Sequence, residues 1–560
     1  MNKLKKYVNW KLTHADKTAE SEGYPLVLEN CKSNKRMKYL EIYGNSFQDG
    51  TPTPDNPIEV ESVGVKSVNL FDVNTVTVIK SYNAKNIIAT DSGFSFIANG
   101  TYGNATFKIG LPIDYIGKTL TLSSPSYYNT SATQLLLFDG TTVHRTGSNY
   151  VSNNNGLYST TITINESDCI DGYFLCIRLY FTGQTTGNII EYKNIMLAEG
   201  STTTPYEPYG KYKIPIVQRG VNLFSMAKTN LVEKTVNGIT FTPLDDERVH
   251  IKGKVIDTSI TTIYNPTFGN RNQTIKAGTY RLKRYSSELT QMISVYNNGN
   301  WVVNINAQHN SVSVSKDGYL SGVYISISAG NTREWDDIIE IQLVKGTSNP
   351  PYEPYVEPTS TNIFLNEPLR KIGDYADYVD FKNKKVVRNT FVRVYDGYGK
   401  TDNPFSKGDN EDNWAGNENH GDVHENLWLF TLNDTLPIIP KNGHHSANDY
   451  KQIPICLQLP TKTGYYDSTT SDATVDKELI WFNQQGRGVR LYLSKDRVGG
   501  TRSNILTYLR ANPISVVIAT YQPYEEPITC ELPKLNAKTT IIEVDTSLEA
   551  SNAYGKYIKR

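Results

Sequence analysis

The sequence predicts an all-β protein built from tandem β-sandwich or jelly-roll modules, with short attachment segments at its two ends. Three observations carry this: an internal repeat, alternation of strand length within each repeat, and turn chemistry between the alternating runs. The repeat is the strongest. Asn194–Tyr209 (NIMLAEGSTTTPYEPY) aligns without a gap with Glu340–Tyr355 (EIQLVKGTSNPPYEPY), and upstream Val68–Phe71 (VNLF) matches Val221–Phe224. Each module therefore opens on VNLF and closes on YEPY. A weaker third pair runs from Thr361–Phe364 (TNIF) to Tyr521–Tyr524 (YQPY), without the glycine that precedes the other two closings.

Inside the repeats the period is that of a strand. Tyr173–Phe181 (YFLCIRLYF) and Val323–Ser328 (VYISIS) are strand-length apolar or alternating runs, and Thr161–Ile164 and Val312–Ser315 alternate just upstream in each copy. Ile195/Leu197 and Ile341/Leu343 stand two residues apart, which puts each pair on one face of a last strand. Gly103-Asn104, Asp139-Gly140, Asn298-Gly299 and Asp317-Gly318 are read as tight turns, because glycine and asparagine tolerate positive φ. The abundance of Tyr (38 residues) with Asn, Thr and Ser favours strands and polar turns over helices.

In the closing segments, proline fixes φ and removes a donor, so Tyr206, Pro208 and Tyr209, like Tyr352, Pro354 and Tyr355, are expected to leave the sheet as stiff, extended connectors between modules. The alternative is a ligand-binding aromatic pair. The boundaries that follow are a segment over 1–40, a Pro-rich linker over 41–66, module 1 over 67–210, module 2 over 211–357, a divergent, lectin-like module 3 over 358–528, and a C-terminal β arm over 529–560.

Composition narrows the function. Of 560 residues, 57 are basic and 57 acidic, so the balanced charge argues against a nucleic-acid or membrane-surface partner. No run approaches the length and apolarity of a membrane-spanning helix, and the basic start lacks the apolar stretch of a secretory signal. The five cysteines are scattered without metal or disulfide spacing, which suits folding in a reducing cytoplasm.

Candidate chemistry is sparse. Asp409, Glu411 and Asp412, followed by Glu418, His420, Asp422 and His424, form a group rich in oxygen and imidazole. It fits neither the calcium-loop nor the zinc-helix spacing, and a solvated loop is the plain alternative to a Ca²⁺ site. No other cofactor is expected. Gly117-Lys118-Thr119 lacks a glycine at phosphate-loop spacing, and His444-His445 has no nucleophile beside it. Trp301 and Trp414 lie in polar, turn-like sequence, where an indole can stack on a sugar ring while Asn and Asp bond its hydroxyls; capping a module edge is the competing role. Trp428 sits in an apolar run and reads as core.

Several longer phrases resemble tail and baseplate proteins of phages and prophages of Gram-positive bacteria. They are Gly44–Gly64 (GNSFQDGTPTPDNPIEVESVG), Leu197–Gly210, Leu365–Phe381 (LNEPLRKIGDYADYVDF) and Leu509–Pro527 (LRANPISVVIATYQPYEEP). The resemblance implies a virion component assembled in the host cytoplasm, carrying carbohydrate-binding-like β-sandwiches and docking on the particle through residues 1–40. It implies other tail or baseplate proteins and host cell-surface polysaccharide as partners, and a homo-oligomer, trimeric or hexameric. Adsorption through several weak glycan sites is the expected function, without catalysis. The rivals are a purely structural head-fibre, decoration or adaptor protein, and a cell-wall-degrading tail enzyme.

Overall fold

The computed structural model describes residues 9–11, 18–22, 26–32, 40–125, 133–148, 151–152, 157–244, 247–257, 261–267, 273–381, 383–397, 427–432, 454–464, 475–483, 489–499, 502–529, 539–544 and 554–558. The chain is mostly strand, 54% against 6% helix, in many separate sheets, as the all-β expectation requires. It divides into two compact units, one of Gly64–Ile214 with Ile363–Pro368, the other of Met1–Val63, Pro215–Asn362 and Leu369–Arg560.

In the first unit, a five-stranded antiparallel sheet runs in the order Val143–Thr146, Thr133–Phe138, Phe174–Thr182, Tyr102–Gly110, Thr77–Tyr82. Facing it are a sheet of Ile189–Tyr192, Gly93–Ala98 and Ala84–Thr90, and another containing Leu157–Thr163, Thr119–Pro125 and Met196–Glu199. Alternate residues of all three point inward to one core, including Phe94, Phe107, Leu120, Leu122, Leu175, Ile177 and Leu197. Burying one face of each sheet against the other is what stabilises a sandwich.

The second repeat, in the other unit, has the same strand order except at its first strand: Thr77–Tyr82 pairs with Tyr102–Gly110, whereas Lys234–Val236 pairs with Ile239–Pro243. Asn300–Asn306, Leu289–Asn297, Gly318–Ile327 and Thr262–Tyr264 form one sheet. Opposite stand Glu334–Glu340, Arg248–Lys254 and Ile239–Pro243, and also Val312–Val314, Gly278–Leu282 and Leu343–Lys345. The core again draws on all three sheets, with Trp335, Phe241, Ile293, Ile325 and Leu343 buried.

Two of the expected turns are strand residues instead. Gly103 lies within Tyr102–Gly110, where a Cβ would come within 2.4 Å of the Phe181 ring and of the Tyr82 carbonyl. Gly318 starts its strand, and a Cβ there would meet the Tyr296 carbonyl at 2.4 Å. Both glycines answer to close approach rather than to backbone handedness. Gly140 and the Asn298-Gly299 pair do have positive φ, as turns demand.

The remaining segments are more interwoven than a linker and two arms. Leu26–Lys32 pairs with Thr539–Val544, and Thr18–Glu22 pairs with Tyr554–Ile558, which also pairs with Leu40–Tyr43. The stretch read as a linker over 41–66 holds short strands. Gln48 Nε2 donates to the Ile58 and Cys456 carbonyls, both at 2.9 Å, and Arg497 grips Asp55 with two hydrogen bonds of 2.8 and 2.6 Å. The long strands Lys385–Tyr395 and Ile514–Pro527 are neighbours, and a helix, Arg502–Ala511, buries Ile505 and Leu509 with Phe391, Val516 and Ile518.

Candidate functional site

Both repeats are closed by the same side chain, the asparagine of VNLF. Asn69 Oδ1 accepts from the backbone N–H groups of Phe71 (3.0 Å) and Leu197 (3.1 Å), and its Nδ2 donates to the carbonyls of Ile195 (3.3 Å) and Glu207 (2.9 Å). Asn222 repeats this: Oδ1 accepts from Phe224 (3.0 Å) and Leu343 (3.1 Å), and Nδ2 donates to Ile341 (3.1 Å). A buried amide thus stands in for a strand edge and ties each opening to the last strand of its module.

The connector residues fall around this latch. Tyr206 is half-buried and Tyr209 exposed, while the glutamate between the two prolines is the buried member, Glu207 in one copy and Glu353 in the other. Glu207 accepts from the Val68 N–H at 3.1 Å and from Lys213 Nζ. Tyr355 accepts from Lys228 and donates to Glu357 at 3.0 Å, while its N–H donates to Glu247. Burial pushes the phenols of Tyr206 and Tyr355 above their ordinary range. Among the connector residues, Pro208 and Tyr352 are partly covered, and Pro354 is exposed.

Trp301 is the sequence-chosen residue with an open surface around it, 60% exposed. The Asn298-Gly299 turn delivers it to the start of an edge strand, opposite Tyr296. Register and burial then define what shares its face. Gln291, Ile293 and Val295 point into the core, so Met292, Ser294 and Tyr296 point out; Asn304 pairs with Ser294, Gly322 with Ser294 on the other side, Tyr324 with Met292, and Tyr319 with Tyr296. Along the strands, one ridge holds Trp301, Tyr296 and Tyr319, the last two stacked at 6.4 Å between centroids. A second ridge holds Met292 and Tyr324. The four-residue separation of Met292 and Tyr296 puts the ridges about 13 Å apart.

Between the ridges the floor is polar: Ser294 and Asn304, with Gly322 buried beside Ser294, where Asn265 Oδ1 would lie 3.1 Å from an added Cβ and Thr267 bridges to it. Asn304 Oδ1 accepts from Trp301 Nε1 at 3.2 Å and from Ser294 Oγ at 2.9 Å. That fixes the indole and leaves the Asn304 amide nitrogen as an outward-side donor. Aromatic walls with an amide-and-hydroxyl floor can stack on apolar ring faces and exchange hydrogen bonds with hydroxyls.

The sequence reading found Trp301 and missed Tyr296, Asn304, Tyr319, Gly322 and Tyr324. The signal was present in SVYNNGNWVVNIN: alternation there puts aromatic and amide groups at positions that an ordinary wet face fills with Thr and Lys.

Trp414 and the weak calcium candidates Asp409, Glu411 and Asp412 lie outside the described residues, as does the side chain of Trp428. Among the described residues no group of three or more His, Cys, Asp or Glu side chains is arranged to hold a metal ion, and no helix is long and apolar enough to cross a membrane. No family model matches this chain, and no curated protein matches it.

Proposed function

We propose that the protein is a tail or baseplate component of a phage virion, working outside catalysis as a binder of host cell-surface polysaccharide. The observation that carries the binding part is the outward trough around Trp301, with its aromatic ridges and its Ser294–Asn304 floor. The virion part rests on the tail-protein phrases and on the tandem architecture. Copies of the second repeat in a homo-oligomer multiply a weak site through effective concentration, which gives adhesion without a high single-site affinity.

The test is adsorption of the purified chain to intact Gram-positive cells, repeated after chemical removal of wall polysaccharide. Binding should be lost on stripping, and Trp301→Ala should weaken it about tenfold or more, as removal of a stacking anchor does. Unchanged binding to stripped cells would contradict the polysaccharide reading. Release of wall fragments during the same incubation would point instead to a wall-degrading enzyme, and absence of binding to a structural part.

A further inference from the structure

The second repeat contains two hairpins that turn on the same dipeptide, Asn237-Gly238 and Asn298-Gly299. In each, these two residues are the whole loop and both have positive φ, 46° and 81° in one, 47° and 83° in the other. This is the type I′ turn that Asn-Gly favours. The surroundings differ. Asn237 is locked, its Nδ2 donating to the Asp257 carbonyl at 3.1 Å and its Oδ1 accepting the Asp257 N–H at 2.8 Å. Gly238 is covered as well, since an added Cβ would meet the Ile256 side chain at 2.6 Å. Asn298 is exposed, and among the described residues no hydrogen bond ties its side-chain amide or the Gly299 N–H. Nothing lies within 4 Å of where a Gly299 Cβ would stand. A third described Asn-Gly pair, Asn99-Gly100 in the other repeat, has Asn83 Nδ2 2.9 Å from an added Cβ on its glycine.

An unrestrained asparagine followed by glycine favours one reaction, because no side chain hinders the glycine nitrogen. The Gly299 backbone nitrogen attacks Asn298 Cγ, the Cγ–Nδ2 bond breaks, and ammonia leaves behind a cyclic imide. Water then opens the ring at either carbonyl. One opening yields aspartate; the other yields isoaspartate, whose main chain runs through the former side chain. Water enters and ammonia leaves, so no oxidant or reductant is consumed. The left-handed backbone at Asn298 does not itself bring the nitrogen onto Cγ, so the ring closes as the exposed tip frays. At Asn237 two hydrogen bonds must break before the same step.

We infer that Asn298 is a site of spontaneous deamidation and that isoaspartate formed there disables the trough. Aspartate replaces asparagine in a type I′ turn without strain. Isoaspartate does not, because it adds a methylene to the main chain of a two-residue loop. That loop sets the hairpin: Asn297 pairs with Asn300 and Tyr296 with Trp301, and Trp301 Nε1 reaches Asn304 from this position. Lengthening the loop moves Trp301 off Tyr296 and away from Asn304. The expected loss of adsorption rests on the polysaccharide reading of the trough, whereas the chemistry at Asn298 does not.

Ageing the full chain at mildly alkaline pH tests this, with peptide mapping to locate isoaspartate and hydrogen exchange to follow the hairpin. Isoaspartate at Asn298 should exceed that at Asn237 about tenfold or more, because two restraining hydrogen bonds are missing. Exchange at Val303 and Ile305 should quicken, and adsorption to cells should fall, with the modified fraction. Asn298→Gly keeps a turn-competent pair and should abolish both changes on ageing. Freshly purified Asn298→Asp should match unaged wild type, which separates the lengthened main chain from the added charge. Equal modification of the two asparagines, or isoaspartate at position 298 with unchanged exchange, would overturn the inference. Failure of the unaged chain to bind cells would instead overturn the polysaccharide reading, since mapping and exchange do not depend on it.

Discussion

The two repeats share most of a strand order and a latch, yet their corresponding outer faces differ in how much is covered. In the first, part of the outer face of the Phe174–Thr182 sheet is covered, although Tyr82 and Tyr102 on the same face stay exposed and Tyr102 stacks on Tyr180. Leu136, Phe138 and Cys176 form a buried apolar cluster outside the main core. Lys80 and Arg178 lie over the Phe138 ring at 5.4 and 4.9 Å, and Lys108 over Phe174 at 3.7 Å. Polar groups there are spent internally, Arg178 on Thr106 and Tyr180 on Gln134. The second repeat offers Trp301, tyrosines and an amide to solvent. The comparison teaches that one topology carries outer faces covered to different extents, because residues pointing away from the core are free to change while the inward ones hold the sandwich.

The clefts at the module ends diverge in the same way. The one in the first repeat is bordered by Asp72, Asp91 and Lys211, whereas the one in the second is rimmed by arginine and lysines. Both are framed by residues of a VNLF opening and a YEPY closing, so the conserved scaffold positions a cavity and the variable side chains choose its charge.

The largest expected effect tests whether the first face is structural. Phe138→Ala should cost about 3–5 kcal/mol, the usual loss for an emptied aromatic site. Trp301→Ala should change stability by about 0.5 kcal/mol or less, because its side chain is mostly in water. Urea unfolding of both variants measures the contrast; similar losses would erase it.

The shared latch should respond alike in both repeats. Asn69→Ala and Asn222→Ala each strand buried backbone groups and should cost about 2–3 kcal/mol. Amide exchange at Leu197 and Leu343 localises the damage. A response in only one repeat would mean that VNLF is conserved in spelling but not in mechanics.

The smallest effect is a pH dependence confined to the first face. Burial pushes the Cys176 thiol up to about 12 from an ordinary value of 9.0. Between those values the folded state keeps a proton that the unfolded chain releases. Its contribution to stability is therefore complete below pH 9 and declines as pH rises, by about 1.4 kcal/mol at pH 10. Unfolding of wild type and Cys176→Ala across this range isolates the slope as their difference. No cysteine lies between residues 211 and 357, so the second repeat has no such thiol.

Much of the fold was legible because strand alternation is local. Ile195 with Leu197 and Ile341 with Leu343 read as pairs sharing one strand face, and all four are buried. The Arg502–Ala511 helix escaped notice because its apolar side is short and its packing partners, Phe391 and Ile518, are remote in sequence. Glu207 was hidden between two more conspicuous tyrosines; its burial depends on Val68 and Lys213, of which the first is more than a hundred residues away. At the candidate site, Trp301 stood out by residue type, whereas Gly322 and Asn304 became relevant only through cross-strand register.

The amino-acid sequence by itself determined the all-β class, the repeat and its two punctuating motifs, since these follow from period, proline and local turn chemistry. Which residues face water together was decided by tertiary structure. Strand pairing brings Trp301, Asn304 and Ser294 beside Gly322, and it brings Arg219 to one cleft with Lys345. No one-dimensional spacing encodes those meetings, because they arise from the register between strands and from the burial of the faces behind them.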